Sequence, residues 1–374
     1  MSDRNLRIGY LAPCFTEEEL LAAARPLLLS YTKDRFEAYC YSCFGVSDGL
    51  TAQLAESVQG MYLPHQGEAA DPGELAGRIS RDGVDILVDL GQGRKACAGP
   101  GAAPALSVLS LRPAPVQIAA LGHMKSTGMP YVDFFLGDVY CDPPETCSRY
   151  FSEEVLRLPH CLYYYGHTEE SYRAAQFRPL SATLPQRVVF AYFGSMERLD
   201  RDLLADWCAI LQQVPEACML FLASQQEAEP ACGQLYAAGI AQERLLLYPR
   251  EGFSMRLYND VDIVLDTYPL AGLEETCQAL YMGVPVVSRY GTEHASRLGY
   301  SFLMNIGLGD LAAATAEEYV AKAVALARDR ELLLALKGKI SSMFWNSPVM
   351  DRAGYVRDVE MAYEAAWQQH VRKA

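Results

Sequence analysis

The sequence has no apolar run of the length that a bilayer-spanning helix requires, and its first residues, Met1 to Ile8, are polar rather than a signal-peptide core. These absences lead to the expectation of a soluble cytoplasmic protein with no membrane partner. Positive charge is also scarce: 32 Lys and Arg stand against 46 Asp and Glu, for a formal net charge of −14. A field of that sign repels polyanions and no basic stripe relieves it, so nucleic acid is not an expected partner. Histidine is sparse, six residues with neither His-x-x-x-His nor His-x-His spacing, so no metal is expected. No repeat of solenoid period and no low-complexity tail interrupts the chain.

What is present is ordinary globular material: 374 residues, 51% hydrophobic and 21% charged, enough for two cores. The 11 cysteines show no repeating spacing and read as reduced, buried thiols. The Cys-x-x-Cys pair, Cys40 and Cys43, lies in a strand-like stretch and lacks a second ligand pair for zinc, so core packing is the expected role.

Short apolar runs alternate with helical patterns in two series. The first contains strand-like Leu6–Ala12, Phe36–Cys43 and Val84–Leu90, with helical patterns over 17–30 and 72–80. The second contains Arg187–Phe193, Ala217–Ala223, Arg244–Tyr248, Val261–Leu265 and Val284–Ser288, with a helix over 200–213. Such alternation predicts an α/β protein of two doubly wound, Rossmann-like domains with ligands at the carboxyl ends of the strands, in a cleft between the domains. The expected division is 1–170, a polar linker near 167–185, then 186–348, with an amphipathic helix over 349–374 packing back on the first domain.

Three segments carry a family resemblance: Leu111-Arg-Pro-Ala-Pro-Val-Gln117; Val132-Asp-Phe-Phe-Leu-Gly-Asp138 with Asp142-Pro-Pro144; and Leu265-Asp-Thr-Tyr-Pro269 running on to Ala279-Leu-Tyr-Met-Gly-Val-Pro-Val-Val287. Together with Leu6-Arg-Ile-Gly-Tyr10 and His294-Ala-Ser-Arg297, the chain resembles the catalytic region of the O-GlcNAc transferase and Spindly glycosyltransferases. The resemblance implies a GT-B architecture and inverting, metal-independent transfer of a sugar from a UDP- or GDP-sugar to Ser or Thr of an intracellular protein. It also implies that the second domain holds the donor diphosphate and that the acceptor enters on the side of the first. Family members usually carry tetratricopeptide repeats, which this sequence does not show, so either the acceptor is captured differently or the repeats belong to a longer parent or a partner; a nucleotide-sugar donor and a protein acceptor or paralogous glycosyltransferase are the partners that the resemblance implies.

Carried over position by position, the resemblance gives a candidate site. In Phe193-Gly-Ser-Met-Glu-Arg198, Arg198 stands where the family places a diphosphate-binding lysine, with Ser195 in the same loop. An arginine keeps the charge and adds a fork for phosphate oxygens; the alternative is a surface ion pair with an acidic neighbour. In Ala271-Gly-Leu-Glu-Glu-Thr-Cys-Gln278, Gly272 and Thr276 are retained at a helix start suited to phosphate. Leu273, Glu274 and Glu275 replace threonines or a histidine, and Gln278 replaces an acid that holds ribose. These changes read either as an altered donor site or as acidic residues that complement an exposed helix end. Glu18 aligns with a family histidine and is a candidate general base, or a helix cap within Glu17-Glu-Glu19. The loop Gly91-Gln-Gly-Arg-Lys95 also lacks a family histidine. Leu121-Gly-His-Met-Lys-Ser-Thr-Gly128 brings His123 and Lys125 to a turn expected to line the donor pocket. The altered positions leave two readings: an active glycosyltransferase, or a degenerate relative serving as a non-catalytic, acceptor-binding partner.

Overall fold

A computed structural model describes residues 4–17, 20, 22–91, 104–166 and 187–373. The chain separates into two compact units, Met1–Tyr164 with Asp351–Ala374, and Tyr165–Met350.

In the first unit the strands are β1 (Leu6–Ala12), β2 (Phe36–Ser42), β3 (Gly60–Tyr62), β4 (Ile86–Gly91), β5 (Val116–Gly122), β6 (Phe134–Asp138) and β7 (Glu154–Leu158). Its helices before the second unit are α1 (Ala24–Leu29), α2 (Gly49–Ser57), α3 (Pro72–Asp82), α4 (Pro104–Ser110) and α5 (Pro144–Cys147). The strands form one sheet in the order β3-β2-β1-β4-β5-β6-β7, with every ladder parallel. A parallel sheet covered on both faces needs strands apolar on both sides, and β4 is buried along its whole length. Cys40 and Cys43 are both buried and unbridged, so this pair packs in the core.

The helix expected over 17–30 is confined to α1. Pro26 lies in the first turn of α1, where its missing N–H costs nothing; a helix extended upstream would require that N–H and set the ring against the preceding turn. Among the described residues upstream, Glu17, Leu20, Ala22 and Ala23 are not helical, although the Leu20 N–H donates to Thr16 O at 2.9 Å, a single helical-type bond.

The second unit contains β8 (Val189–Tyr192), α6 (Arg201–Gln213), β9 (Cys218–Leu222), α7 (Gln225–Ala237), β10 (Leu245–Tyr248), β11 (Ile263–Leu265), α8 (Glu274–Tyr281), β12 (Val286–Arg289), α9 (Leu298–Asn305), β13 (Ala312–Ala313), α10 (Ala316–Arg328) and α11 (Arg330–Trp345). Its parallel sheet runs β10-β9-β8-β11-β12-β13. Trp207 of α6 is fully buried and donates its indole N–H to the Tyr319 hydroxyl at 3.0 Å, which ties α6 to α10 in the core. The final helix, α12 (Arg352–Lys373), returns to the first unit and buries Tyr355, Val356, Val359 and Tyr363. The linker expected near 167–185 lies outside the described residues.

In each sheet the strand order reverses once. The chain runs outward from β1 through β2 to β3 and returns with β4 on the other side of β1; in the second sheet β11 likewise returns beside β8. Ligands of open α/β sheets bind outside the carboxyl ends of the strands at such a reversal.

Candidate active site

At the β8/β11 reversal of the second unit, two loops supply the polar groups. The loop after β8 makes a tight turn in which the Tyr192 hydroxyl donates to Ser195 O at 2.8 Å and Ser195 Oγ accepts the Glu197 N–H at 3.3 Å. A Cβ on Gly194 would lie 2.3 Å from the Tyr192 oxygen, so only glycine fits. Arg250, from the turn after β10, donates to Gly194 O at 2.6 Å and braces the same loop. Arg198 follows, and its Nη1 is buried with no hydrogen-bond partner. A guanidinium nitrogen withdrawn from water without an acceptor costs free energy, so an anion arriving there restores what burial removed. Burial raises the Tyr192 phenol well above its ordinary range; Arg198 and Arg250 oppose the shift, while Glu275 and Asp266 add to it. All four charges therefore lie within electrostatic reach of one hydroxyl.

The loop after β11 is organised by Asp266, which is 4% exposed. Its Oδ1 accepts the Thr267 and Gly272 N–H groups at 2.8 and 2.7 Å, and its Oδ2 accepts from the Ser288 hydroxyl at 2.6 Å. Burial pushes its pKa up to about 6, against the lowering effect of those bonds. The loop delivers the chain to α8, whose N-cap, Leu273, provides no side-chain cap. Glu274 and Glu275 occupy the first turn, part-buried rather than fully exposed, and a Cβ on Gly272 would lie 3.5 Å from a Glu275 carboxylate oxygen and 3.3 Å from Thr276 Oγ1. Gln278 accepts from the Tyr258 hydroxyl at 3.1 Å and donates to Glu274 at 3.4 Å.

At the β1/β4 reversal of the first unit, Asp89 is 1% exposed and its Oδ2 lies 2.9 Å from His123 Nε2. Asp89 Oδ1 accepts the Gly91 N–H at 3.0 Å. The Asp89 carboxylate and, more weakly, Glu153 raise the His123 pKa, against burial, which lowers it. Lys125 is exposed in the same loop, and the turn beyond it is held by the buried Glu153, which accepts from Ser126 Oγ at 2.5 Å and Thr127 N–H at 2.7 Å. Glu18 and residues 92–95 lie outside the described residues.

The structure thus gathers Ser195, Arg198, Gly272, Glu275 and Thr276 at one sheet edge of the second unit, and places His123 and Lys125 in the first. Sequence reasoning missed Asp89, Glu153, Arg250 and Asp266 as site groups. Asp89 and Asp266 carried a signal, an acid closing an otherwise apolar strand; Arg250 carried none. Among the described residues no cluster of His, Cys, Asp or Glu could hold a metal ion, and no helix is long and apolar enough to cross a membrane.

Two parallel doubly wound sheets, each with polar loops at the carboxyl ends of its reversal, define a GT-B type α/β protein. The glycosyl transferase family 41 model matches residues 1–181 and 178–359, and the chain belongs to that family. It is 30% identical over 99% of its length to the rice (Oryza sativa subsp. japonica) protein named probable UDP-N-acetylglucosamine–peptide N-acetylglucosaminyltransferase SPINDLY, and 30% identical over 98% to the Arabidopsis thaliana protein of that name. It spans about 40% of the length of each of these relatives. The solved structure of an O-GlcNAc transferase mutant from Thermobaculum terrenum aligns with a TM-score of 0.86 and 28% identity over 99% of this chain and 69% of that one. An Anabaena protein solved with UDP and glucose, 10% identical with a TM-score of 0.55 over 96% of this chain and 100% of that one, shares the fold.

Proposed function

We propose that the chain transfers a sugar from a UDP- or GDP-sugar to a Ser or Thr hydroxyl of a protein, with inversion and without a metal. The observation that carries this reading is Arg198: a buried, unpartnered guanidinium nitrogen at the β8/β11 reversal. A departing nucleoside diphosphate needs positive potential that is already in place, and a fixed arginine provides it without reorganisation. Arg250, from the turn after β10, adds a second cation against that loop, and the uncapped start of α8 offers backbone N–H donors. Asp266 holds Gly272 so that the chain approaches closely there. The names of the plant relatives, which specify a UDP-sugar and a peptide, support the donor and acceptor classes.

Glu274 and Glu275 favour a second reading, a non-catalytic partner that binds an acceptor protein or an active paralogue. They place carboxylates beside the helix start that a phosphate would use. Two unit charges about 4 Å apart interact by roughly 4 kcal/mol at an effective dielectric of 20, which outweighs the helix-end attraction of about 1 kcal/mol. Incubating the chain with UDP-N-acetylglucosamine and a pool of Ser/Thr peptides separates the two. Release of UDP with sugar on the peptides supports transfer; donor binding without turnover, or no binding, favours the partner role.

A further inference from the structure

The turn after α1 and the first turns of α12 border a groove of about 470 Å³ in the first unit. Three arginines line it, Arg35, Arg352 and Arg357, against a single acid, Glu360. In a chain with a formal net charge of −14, cations gathered in one place against one acid create a local field opposite to that of the whole. The neighbouring acids leave most of it uncancelled. Both oxygens of the buried Glu360 are spent on Thr32, Oε1 accepting its N–H and Oε2 its hydroxyl, each at 2.7 Å. Arg35 donates to Glu364 and lies 4.0 Å from Glu360, which anchors it in the wall. Arg357, 65% exposed, meets Asp358 only at 3.9 Å, beyond hydrogen-bond length. Arg352 is exposed, and among the described residues no acid or carbonyl pairs with it. One guanidinium is therefore committed, and two keep their donors for a ligand.

We propose that this groove binds a phosphorylated serine or threonine side chain of a partner protein. A phosphate monoester carries between one and two negative charges at neutral pH and three strong acceptor oxygens. Planar guanidinium forks take such oxygens in pairs, so two arginines match one phosphate where a carboxylate would occupy a single fork. Volume separates a phosphate carried on a chain from the free ion. At roughly 30 Å³ per water, the groove holds the space of about fifteen waters, far more than one phosphate fills. Ala353 and Val356, which also line it, offer methyl groups to the residues that flank the phosphate, and Ser30 adds a hydroxyl at the end of α1. Every residue of the groove belongs to the first unit, so the proposal is independent of the transferase reading.

The test is isothermal titration calorimetry of the full chain with three probes: a phosphoserine peptide flanked by alanines with blocked termini, the same peptide unphosphorylated, and inorganic phosphate. The phosphopeptide should bind, more weakly as salt rises from about 50 to 200 mM. The unphosphorylated peptide should give no heat of binding, and inorganic phosphate should bind about fivefold or more weaker. Arg352→Gln and Arg357→Gln should each weaken phosphopeptide binding by about fivefold or more. Both are exposed, so each variant should keep a near-native thermal midpoint. Arg198→Ala, which alters the anion site of the second unit, should leave phosphopeptide affinity within about twofold. No phosphopeptide binding, equal binding of the unphosphorylated peptide or of inorganic phosphate, or affinity unmoved by both groove variants overturns the proposal. Binding lost in Arg198→Ala overturns it as well, by placing the phosphate in the second unit.

Discussion

Arg198, with its buried Nη1, and the buried Asp266 are the two charged groups whose single-residue changes are most informative at the carboxyl ends of the second unit's strands. Hydrogen bonds to charged groups are worth about 1.5–3 kcal/mol, so Arg198→Ala should weaken UDP or GDP binding by roughly 10- to 100-fold. Arg198→Lys should recover part of this, keeping the charge and losing the fork. Asp266 makes a separate prediction about stability. Its ordinary value is near 3.8 and in the fold it is pushed up to about 6. Between those values the folded chain binds the proton more tightly than the unfolded one. Stability therefore falls as pH rises through that window and stays lower above it, by about 3 kcal/mol. Thermal unfolding of Asp266→Asn should lack this slope, since the amide oxygen still accepts the Thr267 and Gly272 N–H groups. If the variant keeps the native slope between about pH 4 and 6, another group is responsible. Arg198 could be singled out in the sequence because its loop aligns without a gap to a family pattern, and the structure buries its Nη1 without a hydrogen-bond partner. The Asp89–His123 pair could not be, because tertiary packing alone joins residues 34 apart.

At the scale of elements, a glycine in the second unit and a helix contact in the first each hold a turn in place. Gly299, buried in the first turn of α9, lies against the Asp266–Ser288 hydrogen bond: a Cβ there would meet Asp266 Oδ2 and Ser288 Oγ, each at 2.3 Å. Gly299→Ala should cost about 1–3 kcal/mol and weaken nucleotide binding together with stability, measured by denaturant unfolding and calorimetry on the same preparation. In the first unit Glu360 of α12 reaches the turn after α1, accepting the Thr32 N–H and hydroxyl, each at 2.7 Å. Glu360→Ala should destabilise by about 1–3 kcal/mol by stranding that N–H; a thermal midpoint within a degree of native would show the turn is held otherwise. Most strands were legible because two-sided burial makes them continuous apolar runs, as in β4 and β9. β5, β6 and β7 were not named as strands, although β5 and β6 are largely buried, and the short β3 and β13 carry too few residues for such a run. The helix over 17–30 was over-read because three consecutive glutamates imitate a helix start, whereas Pro26 fixes the start downstream.

Over the whole molecule, two facts pull in opposite directions: a net charge of −14, with glutamates at the start of α8, and cations concentrated at the β8/β11 reversal. Fold class and family were readable because the segments that carry them recur in order along nearly the full chain. Competence for transfer was not, because it depends on where Glu274 and Glu275 place their charge. Isothermal titration calorimetry with UDP and GDP tests the central claim most directly, on the native chain, on Arg198→Ala, and on the triple variant Leu273→Thr, Glu274→Thr, Glu275→Thr. The account predicts measurable binding of one nucleotide by the native chain, loss of roughly 10-fold or more in Arg198→Ala, and tighter binding in the triple variant. Native binding that neither change alters, or no binding by either the native chain or the triple variant, would contradict a nucleoside diphosphate site at this sheet edge.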